Sequence, residues 1–266
     1  MTGRAAMKIV LPDFSLIKPD WPGLPANVHA YTTTRKGGVS LAPFDGGHTY
    51  NGFNLASHVG DDPVAVARNH QRLNLCLPSP ITFLSQVHGN VASDAAKIFP
   101  GHRADACFTS ETSVVCAVLT ADCLPVLFSD TKGGVVAAAH AGWRGLASGI
   151  LQMTAQKMRE SGAKEIIAWL GPAIGPTQFE VGQDVFDAFS QVLKNASAYF
   201  KPKQTEHQFE AKYLADIYGL ARNLLSEVGI NQVDGGIYCT VTESDKFYSY
   251  RRDGVTGRMA SVIWMD

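Results

Sequence analysis

The sequence of 266 residues predicts a mixed α/β (α+β) fold in which a central sheet carries helices on its faces. Four apolar segments in the middle of the chain follow one another too closely for helices to lie between them. This spacing favours antiparallel or mixed strand pairing. Segments on either side of this block repeat their apolar residues at helical spacing. The four expected strands span residues 104–110, 113–120, 124–130 and 133–140.

The other expected elements are recognised by their ends. Residues 60–77 are predicted to form a helix because Asp61 or Asp62 can cap its first turn and Pro63 suits the first helical position. Residues 143–162 give the clearest helical pattern, which a glycine terminates. Two more helices are expected over residues 182–195 and 214–230. The remaining strands are expected over residues 28–40, 81–90, 165–170, 235–241 and 259–265.

Composition and patterning bound the organisation of the chain. No repeat, low-complexity tract or Gly/Ser/Pro-rich linker divides the sequence, so residues 1–266 are expected to form one domain. A hydrophobic content of 45% supports a substantial core. The formal net charge of −1 argues against electrostatic binding to nucleic acid or to an acidic membrane surface. No sequence feature indicates an oligomeric state.

The chain carries no sequence signal for a membrane or for secretion. Residues 1–23 contain a short apolar stretch broken by Pro12 and Asp13, which fits neither a signal peptide nor a membrane span. The odd number of cysteines and the lack of a CxxC motif favour reduced thiols. We therefore expect a soluble, cytoplasmic protein without a membrane partner. The cysteines are Cys76, Cys107, Cys116, Cys123 and Cys239.

Three soft ligands, His88, Cys123 and His140, each lie where an apolar segment gives way to a turn. Side chains at strand ends can converge at one edge of a sheet. The spacings of 35 and 17 residues are too long for a zinc finger, whereas two histidines and one cysteine are a composition of catalytic zinc sites with a fourth position left for water. Such a site lowers the pKa of the bound water. The alternative is that the histidines are hydrogen-bonded core residues and Cys123 is packing.

Asp122, next to Cys123, interrupts an apolar run and requires a reason, because a buried carboxylate is costly unless it is paired. It is predicted to accept the free ring N–H of a ligating histidine or to form a salt bridge with an arginine. A role as general acid or base is the other interpretation.

Seven segments follow one another along the chain in a recognisable order: TTRKGGVS, FNLASHVGDD, SQVHG, TADCLPVLF, AAAHAGWRG, GPAIGP and FYSYRRDGVTGRMASVIWM. In sequence and order they resemble the laccase-domain family of YfiH type, also called DUF152. The resemblance covers residues 31–265, and the combination of TADC with HAGWRG is its most specific part. It implies a single α/β/α sandwich that is also similar to cysteine-hydrolase toxins.

The resemblance implies a metal, usually zinc, on His88, Cys123 and His140. It also implies phosphorolysis of adenosine, inosine and methylthioadenosine to base and ribose 1-phosphate, together with deamination of adenosine. Attack of zinc-activated hydroxide on C6 of adenine is an established route to deamination. The expected partners are therefore a small-molecule nucleoside and phosphate. One departure from the family pattern is a longer loop before Asn54, which carries an additional His48.

Phosphorolysis requires an anion pocket beside the sugar, because phosphate must lose water and be aimed at C1′. Arg35 and Arg144 are candidate catalytic residues, since Arg144 lies at the start of a predicted helix, where free N–H groups attract phosphate. Arg251 is a candidate for substrate binding, with Arg252 and Arg258 nearby. For each arginine the alternative is a solvated side chain or a structural ion pair.

Asn54 and Gln86 are candidates for contacts to ribose or base, although both residue types also cap turns. His58 is interpreted as a turn or capping residue, and Cys239 as packing.

Three other functions remain open from the sequence. A multicopper phenol oxidase uses many His-X-His pairs, whereas this chain has 8 histidines and no such pair. A single copper on the three ligands suits the donor set but lacks a relay of further copper ions.

Without a metal, Cys123 could act as nucleophile with His140 as base, in an amidase or in a hydrolase that edits cell-wall precursors. This leaves His88 without a role. The third alternative is a zinc-stabilised interaction protein.

Overall fold

Two stacked β-sheets form the centre of the molecule, whose computed structural model describes residues 15–46, 51–204 and 211–266. The larger sheet is mixed, because its four central strands pair antiparallel and each edge strand pairs parallel with its neighbour. Numbered in chain order and given from one edge to the other, its strands are β13 (Val233–Gly235), β9 (Ile166–Leu170), β7 (Leu124–Asp130), β8 (Val136–Ala141), β5 (Ala106–Thr109) and β4 (Ala92–Asp94).

The second sheet is antiparallel and covers one face of the first. Side chains of the two sheets share a core in which Val118 and Ile263 meet Leu127 and Val136. Its four strands in order are β1 (Leu16–Ile17), β2 (Val28–Thr33), β14 (Met259–Met265) and β6 (Cys116–Thr120). A small third sheet contains β10 (Glu180–Gly182), β12 (Lys212–Ala215) and β11 (Phe200–Lys203), and β3 (Lys36–Ser40) forms bridges with Gly52.

Helices cover both outer faces of the stacked sheets. Within the described ranges they are α1 (Pro63–Asn74), α2 (Trp143–Ala147), α3 (Ile150–Glu160), α4 (Gln183–Val192), α5 (Ile217–Glu227) and α6 (Tyr250–Asp253). On the larger sheet, α3 and α5 bury Ala155 and Leu224 against Val126 and Phe128. On the second sheet, α1 buries Leu73 in the cluster that contains Trp264. None of these helices is long and apolar enough to cross a membrane.

The mixed α/β class and the single domain are confirmed, with the expected central sheet divided into two stacked sheets. Residues alternate along β7, so that Val126 and Phe128 contact helices while Leu127 enters the core between the sheets. Strand β7 is therefore buried on both faces, which explains its continuous apolar sequence. The predicted start of α1 is also confirmed, because the carboxylate of Asp62 accepts the N–H of Val64 and Pro63 is the first helical residue.

Three expected elements differ in the structure. Residues 143–162 form two helices because Gly149 adopts a left-handed φ of +91° between them. Residues 235–241 leave the strand after Gly235, since Gly235 and Gly236 both have positive φ. The predicted strand over 81–90 is replaced by a loop with one bridge, between Ser85 and Arg103. The loop forms because its N–H groups donate to a buried carboxylate instead of to a strand.

Candidate metal centre and its cavity

His88, Cys123 and His140 meet at one end of the larger sheet. Cys123 directly precedes β7, and His140 is the penultimate residue of β8, whose antiparallel register pairs Leu124 with Ala141. The start of one strand therefore lies beside the end of the other. No two ligand atoms of the three side chains are more than 4.8 Å apart, and Sγ of Cys123 lies 3.8 Å from Nε2 of His88. The two imidazole rings meet edge to face with centroids 4.8 Å apart.

Gly142 makes this close approach sterically feasible. A Cβ atom at this position would lie 2.9 Å from Cδ2 of His88 and 3.1 Å from Sγ of Cys123. The first of these separations is shorter than real Cβ contacts allow, so a side chain here would push the two ligands away. The glycine of the HAGWRG segment thus has a physical function at the site.

Asp105 organises two of the three ligands, and it was not among the residues expected from the sequence. Its buried carboxylate accepts Nδ1–H of His140 at 2.9 Å, with the N–H groups of His88 and Gly89 at 2.8 Å and that of Val87 at 3.2 Å. These bonds hold His88 at a φ of +59°, which is uncommon for a non-glycine residue. Because its Nδ1–H donates to Asp105, His140 directs Nε2 toward the other two ligands, and Nε2 can bind a metal once it has lost its own proton.

A signal for Asp105 was present in the sequence, because this aspartate also interrupts an apolar segment that was expected to be a strand. The favoured role of Asp122, to accept a ring N–H of a ligand or to pair with a guanidinium, is wrong. Its carboxylate accepts the hydroxyl of Thr240 and the backbone N–H of Arg251, both at 2.6 Å. Asp122 therefore ties the segment before β14 to the sheet, while Asp105 serves the ligands.

The electrostatics of the three ligands favour a thiolate. Burial raises the pKa of Cys123, but the imidazoles of His140 and His88 outweigh that effect and lower the pKa to about 6. Burial lowers the pKa of His140, whereas the charges of Cys123 and Asp105 raise it to about 9. Burial also raises the pKa of Asp105, but its bonds to His140 and to backbone N–H groups lower it overall. Sulfur thus carries negative charge near neutral pH, the form in which cysteine binds metals.

The donor set fits a metal ion. Zinc bonds of about 2.0–2.3 Å in a tetrahedron place nitrogen and sulfur ligand atoms about 3.3–3.6 Å apart. The 3.8 Å separation of Sγ and Nε2 is close to that range, and all three ligand atoms lie within 4.8 Å of one another. Two imidazoles and one thiolate leave a fourth position open on zinc, and the same donors also suit copper. His88, Cys123 and His140 are therefore a group that could hold a metal.

The three ligands line a cavity of about 680 Å³. The cavity lies within the usual range of small-molecule sites, about 300–1,000 Å³. None of the described residues in its wall carries a carboxylate. Its larger apolar and aromatic lining residues are Leu55, Phe83, Leu84, Leu119 and Tyr250. Its polar lining residues besides the ligands include Ser57, His58, Gln86, Thr120 and Arg258.

Of the expected substrate-binding residues, Gln86 lies in the cavity wall and Asn54 does not. The amide of Gln86 donates to the backbone oxygen of Leu119 at 2.8 Å and accepts its N–H at 2.7 Å, so it fixes the edge of β6. Asn54 is fully buried, and its side chain bonds to Ala56, Asp61 and the backbone N–H of Arg258. Asn54 therefore positions the chain next to the cavity and does not reach into it.

Arg35 lies away from the cavity. Its guanidinium bonds to the backbone oxygens of Asp45 and Ser244 and to the Asp45 carboxylate. It also lies over the ring of Tyr248, with 5.1 Å between its Cζ and the ring centroid. These contacts make Arg35 a structural link between loops, the alternative considered for it from the sequence.

Arg144 and Arg251 are exposed and are also absent from the cavity wall. Arg144 stacks on Trp143 at 4.4 Å, and Arg251 donates to the backbone oxygen of Glu180. Arg258 and His58 line the cavity instead. Sequence reasoning named both residues but selected neither, because only the folded chain brings them to the ligands. His48 lies outside the described residues.

Comparison with known proteins identifies relatives over nearly the whole chain. The family model described as multi-copper polyphenol oxidoreductase laccase matches residues 29–266. A Haemophilus influenzae protein named purine nucleoside phosphorylase is 48% identical over 252 residues, covering 94% of this chain and 99% of that protein. The Escherichia coli K12 protein named purine nucleoside phosphorylase YfiH is 49% identical over 253 residues, covering 94% and 98%.

Solved structures of similar proteins also match nearly the whole chain. A Neisseria meningitidis protein described as DUF152 has a TM-score of 0.84 and 47% sequence identity, covering 94% of this chain and 99% of that chain. YlmD from Geobacillus stearothermophilus has a TM-score of 0.81 and 30% identity, covering 95% and 98%. The fold and the sequence of this chain are thus similar to the same group of proteins.

Proposed function

This chain belongs to the family described as multi-copper polyphenol oxidoreductase laccase, and from that premise we propose that it is a zinc-dependent purine nucleoside phosphorylase that also deaminates adenosine. The observation that carries the proposal is a single cavity lined by His88, Cys123 and His140 together with aromatic and polar side chains. The names of the Haemophilus and Escherichia relatives support the same reaction. The proposed substrates are adenosine, inosine and methylthioadenosine.

One metal ion is proposed, although the family description refers to several copper ions. Among the residues described in the structure, His88, Cys123 and His140 form the one group that could hold a metal ion. This group supports one metal site. Zinc is favoured because three protein ligands with one open position are its usual catalytic arrangement. All five cysteines are free, which supports the proposed cytoplasmic location.

The cavity suits a nucleoside in size and in lining. Phe83 and Tyr250 offer aromatic surface to a purine, and Leu55 adds apolar contact. Ser57 and His58 offer hydroxyl and imidazole groups to the sugar. A site of this kind combines an apolar lining with a few polar groups that fix the orientation of the ligand.

Phosphorolysis replaces one bond at C1′ with another. An oxygen of phosphate bonds to C1′ while the C1′–N9 bond breaks, and the purine leaves with the electron pair and takes up a proton. The products are the free base and ribose 1-phosphate. Bound zinc would supply a Lewis acid and lower the pKa of a water molecule. The chain itself orients His140 through Asp105 and holds His88 through the same carboxylate.

Deamination of adenosine is a second proposed activity, favoured by the open position that three protein ligands leave. In this reaction the oxygen of water bonds to C6, the C6–N6 bond breaks, and ammonia leaves, which gives inosine. Zinc deaminases likewise use three protein ligands of histidine and cysteine type.

The test is incubation of the zinc-loaded protein with adenosine, with and without inorganic phosphate. Phosphorolysis gives adenine and ribose 1-phosphate only with phosphate, whereas deamination gives inosine under both conditions. Chelation of the metal is expected to abolish both activities, and zinc should restore them. A protein that purifies without stoichiometric metal and deaminates adenosine in the presence of a chelator would instead support the Cys123-dependent amidase or hydrolase. Turnover of phenols with stoichiometric copper would support the single-copper oxidase.

Cys123→Ser is the matched variant, with Cys239→Ser as its control, because both cysteines are partly exposed and only Cys123 lines the cavity. Loss of a residue beyond the ligands typically costs about 10–100-fold in metal affinity or activity, so loss of a ligand should cost at least that much. We expect C123S to purify without stoichiometric zinc and C239S to retain it. Normal zinc content and turnover in C123S would contradict the proposal.

A further inference from the structure

Arg258 is a half-buried cation in the cavity wall without a carboxylate partner. Within residues 15–46, 51–204 and 211–266, no acidic side chain forms an ion pair with it. Arg35 and Arg252, by contrast, pair with Asp45 and Asp253. Burial outweighs the charges of Cys123 and Asp122 that act on Arg258, so the position favours a further anion that comes from outside the chain.

The hydrogen bonds of Arg258 leave most of its guanidinium available. Nη1 donates to the backbone oxygens of Thr256 and Gly257, while Nε and Nη2 find no acceptor among the described residues. Asn54 accepts the backbone N–H of Arg258 at 2.9 Å and fixes the base of the side chain. Because a guanidinium binds oxyanions through a planar fork of donors, a fixed and partly unused fork suits phosphate.

Arg258 shares the cavity wall with the three metal ligands, and its charge interacts with that of Cys123. Burial lowers the pKa of Arg258, and the charges of Cys123 and Asp122 oppose that shift. The charge of Arg258 in turn adds to burial in lowering the pKa of His58. An anion held by Arg258 would therefore lie in the same cavity as a nucleoside near the ligands.

Thr120 supplies a second, independent sign of a ligand. Thr120 belongs to the cavity wall, and its buried hydroxyl has no hydrogen-bond partner among the described residues. Thr120 and Arg258 are both residues of this cavity wall. Since buried hydroxyls in folded proteins are normally hydrogen-bonded, this one is expected to bond to a ligand.

We infer that Arg258 and Thr120 form the phosphate subsite of the cavity, in place of Arg35, Arg144 and Arg251. The guanidinium binds two oxygens of the phosphate, and the hydroxyl of Thr120 donates to a third. The use of this phosphate in attack on C1′ rests on the proposed function, whereas binding of phosphate does not.

The test compares Arg258→Gln with Arg251→Gln, an exposed arginine outside the cavity wall. Binding of inorganic phosphate to the zinc-loaded protein is measured by phosphorus NMR, and KM values are measured for phosphate and for inosine. Hydrogen bonds to charged groups predict that R258Q raises the Kd and KM for phosphate roughly 10- to 100-fold. The KM for inosine should change much less, and R251Q should behave as the wild type. R258K keeps the charge without the fork and should fall between the wild type and R258Q.

Thr120→Val provides a variant of nearly unchanged shape. We expect it to raise the Kd for phosphate by roughly 3- to 10-fold, as loss of one hydrogen bond predicts. Its Tm should not fall, because the lost hydroxyl bonds to no described residue. A merely structural role for Thr120 would lower the Tm and leave phosphate binding unchanged.

The outcomes separate this inference from the proposed function. Unchanged phosphate affinity in R258Q, or an equal loss in R251Q, would overturn the subsite. Phosphate binding that depends on Arg258 without any formation of ribose 1-phosphate would support the subsite and overturn the phosphorylase. A wild-type protein that does not bind phosphate would overturn the subsite.

Discussion

The two sides of the cavity are both held by polar side chains buried in the core, but they are held in different ways. On the metal side, which comprises His88, His140 and Asp105, one carboxylate bonds to the backbone of one ligand and to the ring of another. On the arginine side, which comprises Arg258, Asn54 and Asp122, the two polar residues bond to backbone N–H groups and to a threonine hydroxyl. The guanidinium of Arg258 donates a hydrogen bond to neither Asn54 nor Asp122.

On the metal side, one residue both holds the loop in place and orients a ligand, so the two roles cannot be separated. On the arginine side, the residues that hold the chain in place do not contact the guanidinium, so the two roles can be separated. A change at Asp105 alters the loop, the proton position of His140 and the separation of the ligands together. A change at Asp122 or Asn54 alters only where the chain places Arg258 and its neighbours. Substitutions of the two aspartates should therefore give different patterns of loss.

Asp105→Asn is expected to have the largest effect. The carboxylate of Asp105 accepts hydrogen bonds from four N–H groups. Asparagine has no negative charge, and its NH₂ group would face some of these donors, so part of the hydrogen bonds would be lost. Breaking a buried pair of this kind costs about 3–5 kcal/mol in the free energy of unfolding. Loss of the ring partner of a ligand should also reduce zinc affinity about 10–100-fold. Urea unfolding and a competitive zinc titration measure the two quantities.

Asp130→Asn is the matched control for D105N, because Asp130 is also buried in the larger sheet and its Oδ1 has no partner among the described residues. It should cost less than about 1 kcal/mol and leave zinc affinity unchanged. If D105N and D130N proved equal in both measurements, the organising role of Asp105 would be refuted.

Asp122→Asn should have an intermediate effect that is confined to the arginine side. Asparagine tolerates the φ of +88° at this position, so the main loss is one acceptor for Thr240 or Arg251. We expect the free energy of unfolding to fall by about 1–2 kcal/mol. Phosphate binding should weaken and the zinc content should stay normal. Urea unfolding, phosphorus NMR and metal analysis are the measurements. Loss of zinc in D122N would show that the two sides are not separable.

Arg144→Gln should have the smallest effect, although the sequence favoured Arg144 for phosphate. Its exposed stacking on Trp143 is worth about 0.5–1 kcal/mol at most. The KM for phosphate should stay within about twofold of the wild type, since twofold corresponds to only about 0.4 kcal/mol. A rise as large as that in R258Q would return the phosphate site to the start of α2.

Strands and ligands were predicted best where the signal is local. The buried run of β7 and the Asp62–Pro63 start of α1 follow from patterns within a few residues. The soft ligands were recognisable because histidine and cysteine at strand ends are chemically distinctive. The loop over residues 81–90 could not be predicted in this way, because the group that replaces its strand partners is Asp105, a residue outside the segment.

The arginines also show that local sequence patterns do not reveal which partners a side chain has in the folded protein. Five of them were candidates for an anion site, and the sequence favoured Arg35 and Arg144. Arg35 and Arg252 form ion pairs with nearby carboxylates, whereas Arg258 has no carboxylate at ion-pair distance within the described part of the chain. Which donors stay free depends on the neighbours that folding supplies, and those neighbours are distant in sequence.

By itself the sequence determined the mixed α/β class, the continuous apolar strands and the identity of three soft side chains. These features depend on residue type and on periodicity, which short segments already contain. Only the tertiary structure decided that Asp105 serves the ligands, that Asp122 braces the chain and that Arg258 faces the cavity. The reason is that a polar group takes its role from the partners that packing brings within hydrogen-bond distance.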